Sequence, residues 1–380
     1  MPSQRLHRDR ATWVAYLATA GYIWGLYGMG PALLLLRDET GMSRTLASLH
    51  SSSMAFGFLI VGAVGALLTQ RLGRSRTLDL GMTGSALGVV LLVFGGTPAL
   101  SIPGALLIGF SGSLVLNTQG AFLSVHHGEL GPAAIGEQNA AGGMAGLLAP
   151  LSIGFIAATA VNWRLALLVG PVVFIAVSLM RGRQSTDPST ARSAATGRTR
   201  LPHAYWWAWG ALGLCVGVEF SFVMWAGDVL RAQTGASVAL AAGGLTAVAA
   251  GIVIARVLIP VLLRRITLDR LFQLALIVPA LVWVPMWLSN ATAIVLVCMV
   301  VIGLGVGLHY PLGIARMVQH SGGHPDLATN RSAFASAIAI GFAPLGLGAL
   351  ADNVGVHTAF IAVPVMLVLA MGTTLMGRER

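Results

Sequence analysis

Few groups in this 380-residue chain can do chemistry, because 56% of its residues are apolar and only 9% are charged. Glu219 is the sole carboxylate well inside an apolar stretch, flanked by Val216, Gly217, Val218, Phe220 and Phe222. Burial among such side chains penalises the charged form, which suits a group that gains and loses a proton. Arg256 is the sole cation in a comparable place. A guanidinium cannot be discharged in practice, so a carboxylate, backbone carbonyls or an anionic ligand must meet its charge. His309 adds an imidazole whose ordinary titration lies near neutral pH. Each residue also has a structural reading. Glu219 can be the fixed partner of an arginine, Arg256 can snorkel to water and brace its helix, and His309 can be a hydrogen-bonded core residue. Along ideal helices Arg256 lies about 12 Å from Arg264, and Glu219 roughly 19 Å from Trp206. A direct Glu219–Arg256 pair therefore requires tilt or long side-chain reach.

These groups must be held by membrane-spanning helices. A mean hydropathy of +0.80 excludes a soluble domain of ordinary composition. Spans need about 20 apolar residues each, and the hydropathy pattern predicts them near 12–36, 44–69, 77–94, 99–123, 136–160 and 164–180. A second set falls near 203–230, 237–263, 269–288, 291–317, 329–351 and 355–377. The expected fold is an all-α polytopic bundle of twelve helices: 1–180 one six-helix bundle, 181–202 a polar linker, 203–380 a second bundle. The first span is too long and too late for a cleaved signal peptide. Cys215 and Cys298 both fall inside spans and read as packing residues rather than a disulfide.

The net charge of +10 is carried by 23 arginines and no lysine. Threading the loops onto the spans places 18 arginines on the face that carries both termini and four (Arg37, Arg44, Arg164, Arg231) on the other, with Arg256 inside. That asymmetry predicts cytoplasmic termini in an inner (plasma) membrane, and it accounts for the basic balance without a nucleic-acid partner. Without lysine no nucleotide-binding P-loop can exist, which argues against a primary pump. His126, His127, Glu129 and Glu137, and His320 and His324 in the matching later loop, fit no metal-ligand template, so neither metal nor cofactor is expected.

The chain also reads twice. At an offset of 194, Thr40-Gly41-Met42-Ser43 falls on Thr234-Gly235-Ala236-Ser237, Arg37 on Arg231, Ala149-Pro150-Leu151 on Ala343-Pro344-Leu345, and Gly154 on Gly348. Two like halves of apolar helices are the layout of a secondary transporter, in which one half rocks against the other. Many of the 48 glycines lie inside spans, where they let helices pack tightly; smooth faces of this kind could also slide.

Twelve spans, a central polar linker and repeated halves resemble the major facilitator superfamily. That family places Gly-x-Leu-Ala-Asp-Arg-x-Gly-Arg-Arg/Lys between its second and third helices. Here Arg71, Gly73 and Arg74 match and Gln70 replaces the Asp, so the latch that the Asp serves in the family is expected to be weakened or rebuilt through hydrogen bonds. The second-half loop keeps only Arg265 of this motif. Gly146-Leu-Leu-Ala-Pro150-Leu-Ser-Ile-Gly154 resembles a motif of proton-coupled exporters, and Asn162-Trp163-Arg164 an external-loop Trp-Arg pair. Glu219 with Trp225, and Gly251-x-x-x-x-Arg256, look instead like the fucose-permease-like branch and some organic-anion carriers.

The resemblance implies a central cavity lined by the first, fourth, seventh and tenth spans. Tyr22, Trp24 and Tyr27, Asn117 and Gln119, and His309 and Tyr310 then join Glu219 and Arg256 as substrate or proton-coupling candidates, with Arg71, Gly73, Arg74, Pro150 and Pro344 as gating elements. It further implies a monomer that moves a small organic solute, with protons, by alternating access. Two alternatives stand beside that reading: an exporter of hydrophobic or cationic compounds on the same fold, and a membrane sensor that no longer transports. No cluster of nucleophiles or acids at one membrane face supports an enzyme.

Overall fold

Backbone polar groups in hydrocarbon must be satisfied within the chain, and a sequence of this hydropathy meets that demand by folding almost entirely into helices. The computed structural model describes residues 6–182 and 201–376. Most of the expected linker, residues 183–200, lies outside the described residues. The helices are α1 (Arg10–Thr40), α2 (Arg44–Phe94), α3 (Pro98–His127), α4 (Gly131–Ala157), α5 (Arg164–Leu167), α6 (Val169–Arg181) and α7 (His203–Thr234). They continue with α8 (Val238–Ala242), α9 (Leu245–Leu262), α10 (Leu268–Leu288), α11 (Thr292–Gln319), α12 (Pro325–Val354), α13 (Val356–Ala359) and α14 (Ala362–Met376).

Among the described residues eleven segments are helical, long and apolar enough to cross a membrane. Twelve were expected, and the difference lies in α2. Its 51 residues would extend about 76 Å, more than twice a hydrocarbon core. At Gly73 the backbone leaves the helix, with φ 79° and ψ 159°. This left-handed conformation favours glycine and divides α2 into the second and third expected spans. The loop-motif glycine is therefore the corner at which the chain reverses.

The internal repeat is visible in the element boundaries. α1 ends at Thr40 and α7 at Thr234, each capped by a glycine (Gly41 φ 68°, Gly235 φ 67°) whose N–H donates to the carbonyl of Arg37 or Arg231. The next helices start at Arg44 and Val238, and the fourth and tenth spans at Pro98 and Thr292. Close helix crossings repeat as well. A Cβ on Gly57 would lie 2.5 Å from the Phe110 nitrogen and one on Gly109 2.0 Å from the Met54 oxygen. At the same offset, a Cβ on Gly251 would meet the Val300 oxygen at 2.1 Å and one on Gly303 the Val248 oxygen at 2.2 Å. Backbones this close exclude any side chain.

α1 and α7 stand at the centre, buried on nearly every face, and α1 packs directly on α7. At Gly30 a Cβ would sit 1.8 Å from the Val223 oxygen, and at Gly154 one would sit 2.7 Å from Gly243 Cα. Both contacts lie toward the face opposite the chain ends, called here the distal face. The face that carries the chain ends is the terminal face. On that face Asp9 caps α1 by accepting hydrogen bonds from the N–H and hydroxyl of Thr12, and it meets His126 Nε2 at 2.8 Å. Partial burial pushes its carboxyl up, but the Thr12 and His126 hydrogen bonds outweigh that and hold it down at about 2.

If the α1–α7 approach closes the distal face, Gly30→Ala should open it. Overpacking of about 1–3 kcal/mol corresponds to about a fivefold or greater gain in labelling of an Ala47→Cys probe by an impermeant thiol reagent. The background for this measurement is Cys215→Ala/Cys298→Ala. Unchanged labelling would sink this role for Gly30.

Candidate functional site

Half-way along α7, the Glu219 side chain is only 7% exposed, and it does not stand alone. Tyr27, half-way along α1, donates its hydroxyl to Glu219 Oε1 at 2.7 Å. From α9, Arg256 brings Nη2 to 3.6 Å from the same oxygen. The direct pair that required tilt or reach is thus formed. α9 crosses α11 at the Gly251–Gly303 contact, and this close approach sets Arg256 one turn further along α9. The guanidinium remains 34% exposed, so one side of it stays open. Tyr310 is exposed beside the same pair, within electrostatic reach of both charges.

The proline motif of the fifth span supports this arrangement from behind. Pro150 lies inside α4 and has no N–H, which frees the Gly146 carbonyl one turn earlier. Gly146 also seats the Tyr27 ring: a Cβ there would lie 3.3 Å from Tyr27 Cγ. In the second half Pro344 frees the Ile340 carbonyl, and Ser51 of α2 donates to that oxygen at 2.7 Å. Ser52 donates to the Gly341 carbonyl at 2.6 Å, and Ser48 and Trp225 both donate to the Pro344 carbonyl, at 2.9 and 3.2 Å. The two prolines thus differ in surroundings: Pro150 lies one turn from the Gly146 that seats Tyr27, whereas carbonyls at and before Pro344 accept hydrogen bonds from the other half.

Other sequence candidates go elsewhere. His309 is fully buried, with Nε2 3.0 Å from the Ala275 carbonyl of α10, so it faces the tenth–ninth span contact and not the Glu219–Arg256 pair. Tyr22 is buried against Gly112 of α3, where a Cβ would lie 1.8 Å from its ring. Trp24 donates to the Ala166 carbonyl at 2.8 Å. Asn117 is exposed, and Gln119 is buried near the terminal face beside Arg10, Arg74 and Arg181. The Gln70 and Arg71 side chains are exposed and make no hydrogen bond among the described residues. The loop polar groups pair locally: Arg8 with Glu137, His126 with Asp9, and His127 Nε2 with the Thr12 hydroxyl. Among the described residues no three His, Cys, Asp or Glu side chains converge.

A charged network at the distal face escaped the sequence reading. Arg37 of α1 pairs with Asp228 of α7 at 2.5 Å, and Arg231 of α7 pairs with Asp38 of α1, also at 2.5 Å. The two arginines are repeat counterparts, and each reaches across to the other half. Asp352 of α12 accepts from the Arg44 and Thr45 nitrogens at 3.0 and 2.8 Å and from the Thr45 hydroxyl at 2.6 Å. A signal was present: Asp228 falls on Leu34 at the 194 offset, a charge where the other half keeps leucine. Among the described residues every polar contact between the halves lies either at the Tyr27–Glu219 level or nearer the distal face, so that face is closed.

A repeated helical bundle with an ion pair buried between its halves defines a polytopic membrane carrier. A family model described as Major Facilitator Superfamily matches residues 15–324, and the chain belongs to that family, whose members are transporters and not enzymes. Its fold is similar to a bacterial homolog of the human lysosomal transporter Spinster in an inward-facing, occupied conformation (TM-score 0.79, 13% identity, 98% of this chain and 97% of that one). It is equally similar to a D-xylose–proton symporter (TM-score 0.79, 13% identity, 97% of each chain). The nucleoside transporter NupG also matches (TM-score 0.76, 12% identity, 98% and 99% covered). No curated protein matches the chain in sequence.

Losing the Tyr27 hydroxyl removes a hydrogen bond to a charged group, worth about 1.5–3 kcal/mol. Tyr27→Phe should therefore lower the detergent-solubilised Tm measurably, and the same change in a Glu219→Gln background should cost clearly less. Additive losses in the double-mutant cycle would show that the two side chains are not coupled.

Proposed function

We propose that this major facilitator superfamily transporter carries a small organic anion together with a proton, with Glu219 as the proton carrier and Arg256 as the anion's anchor. The observation that carries this reading is the shared oxygen: Tyr27, from the first half, and Arg256, from the second, both approach Glu219 Oε1 of the second half. With no solute bound, carboxylate and guanidinium neutralise each other. An anion that enters from the terminal face meets the open side of Arg256 and competes with Glu219 for it. Glu219 then takes a proton, and the loaded site holds a neutral acid and a new ion pair. The site stays neutral when empty and when loaded. Moving it through a low-dielectric interior therefore needs no uncompensated charge, which would be costly. Export of a cationic compound is supported less well, because the buried carboxylates Glu219 and Asp228 each already face an arginine.

In this reading the six spans up to residue 180 and the six from 203 onward are the rocking bodies. The 18-to-4 arginine asymmetry makes the terminal face cytoplasmic in an inner (plasma) membrane. The distal network of Arg37–Asp228 and Arg231–Asp38 then closes the external side, and the described conformation opens inward. The chain acts as a monomer.

The test is proton and solute flux in liposomes reconstituted with the full chain, across a panel of organic anions, sugars and cationic compounds. Glu219→Gln should abolish solute-driven proton flux while anion exchange persists. Arg256→Gln should reduce anion transport at least about 100-fold, since it leaves a buried carboxylate without its counter-charge. Proton flux that survives in Glu219→Gln, or a response to cations alone, would overturn the reading.

A further inference from the structure

Near the terminal face the first half contains a cleft that the central site does not use. It lies between α1, the second arm of α2, α3 and α6, and is lined by Arg10, Arg74, Arg181, Thr118 and Gln119. Its floor is well buried: Gln119 is 3% exposed and Thr118 5%. Gln119 Nε2, Thr118 Oγ1 and Arg181 Nε are buried with no hydrogen-bond partner. Arg181 already pairs with Asp79, which neutralises one charge. Arg10 and Arg74 have no ion pair or hydrogen bond among the described residues. Two uncompensated guanidinium groups and three unpartnered buried polar atoms, two of them N–H donors, therefore surround one space. Buried polar groups are ordinarily satisfied, so such a concentration points to a missing acceptor.

The repeat supplies a control within the same molecule. At the 194 offset Arg10 falls on Ala204, Arg74 on Leu268, Thr118 on Leu312, Gln119 on Gly313 and Arg181 on Leu375. These five polar lining groups become apolar or absent, and the corresponding space is plugged. There Arg316, the counterpart of Phe122, donates to Asp269, the counterpart of Ser75, at 2.8 Å and lies over the Phe272 ring. Leu212 covers Gly313, at 2.8 Å from where a Cβ would be. Helix packing thus does not require the polar cleft, since the same frame closes without it.

We infer that this cleft binds a phosphate-type anion, as either the headgroup of an anionic phospholipid or a free phosphate group. Planar guanidinium groups match phosphate oxygens bidentately, and a carboxamide N–H and a hydroxyl supply further donors to the same group. Basic pockets between spans on the cytoplasmic side suit anionic headgroups, and this cleft opens at the arginine-rich face. It is separate from the proposed transport site: Val14, which lines it, lies about 20 Å along α1 from Tyr27.

The test uses the delipidated full chain. Native mass spectrometry after incubation with phosphatidylglycerol or phosphatidylcholine reads headgroup binding, and a thermal-shift titration with inorganic phosphate reads the free anion. Phosphatidylglycerol should be retained over phosphatidylcholine, and Arg74→Leu should weaken retention about fivefold, the usual worth of one arginine near an anionic headgroup. Gln119→Leu, which removes a donor without removing charge, should weaken it too, and it serves if Arg74→Leu does not fold. Phosphatidylglycerol retention without a phosphate shift assigns the site to lipid. A phosphate shift lost in both variants, without lipid selectivity, assigns it to a soluble phosphate. Equal retention of both lipids with no phosphate shift, or binding unchanged in Arg74→Leu and Gln119→Leu, would overturn the inference.

Discussion

A guanidinium that cannot give up its charge, placed inside a membrane-spanning helix, is the constraint around which the centre of this protein is arranged. Arg256 needs a counter-charge, and among the described residues Glu219 is the carboxylate that pairs with it. Their 3.6 Å approach fixes α9 against α7. Tyr27 then ties α7 to α1 through the same oxygen, so one carboxylate joins two halves of the molecule. A site in which two donors share one acceptor responds sharply to a single proton or a single competing anion. In the proposed function this is the physical sense in which the pair would couple a solute to a proton.

Everything around the pair serves close approach. Glycine crossings at Gly57–Gly109 and Gly251–Gly303 bring backbones together in both halves at equivalent places. The distal face adds reciprocal salt bridges from Arg37 and Arg231 and carbonyls freed by Pro344. The Arg231–Asp38 and Arg44–Asp352 pairs are partly exposed, so each is individually modest, whereas Arg37–Asp228 and the hydrogen bonds to the Ile340 and Pro344 carbonyls are buried. The proline of the first half is spent differently, since Pro150 frees the carbonyl of Gly146, the residue that backs the Tyr27 ring. Symmetric frame and asymmetric chemistry therefore coexist: repeat positions keep the turns and crossings, whereas charges such as Asp228 and Glu219 stand in one half only.

Much of this frame was legible in the chain. Hydropathy marked each crossing, because a span must be apolar over its whole length, and the 194 offset marked both halves, because turns and close crossings need the same residue types each time. Gly73 was visible as a motif residue, although its φ of 79° is what makes two spans of one 51-residue helix. Glu219 and Arg256 stood out by composition alone. Their pairing did not, since ideal rises along separate helices say nothing of where two helices cross. His309 and Tyr22 looked equally plausible in sequence, yet helix rotation turns both into intra-half contacts. Gln119 is turned into the terminal-face cleft.

By itself, then, the sequence determined a helical membrane bundle of two like halves, its orientation bias and its few buried charges, all properties that depend on residue type and spacing along one chain. Tertiary structure alone decided which charges meet. The rotation of each helix about its axis and the depth at which helices cross assign Arg256 to Glu219, Arg37 to Asp228 and Arg231 to Asp38. Those two quantities are set by packing among many side chains and are written in no single span.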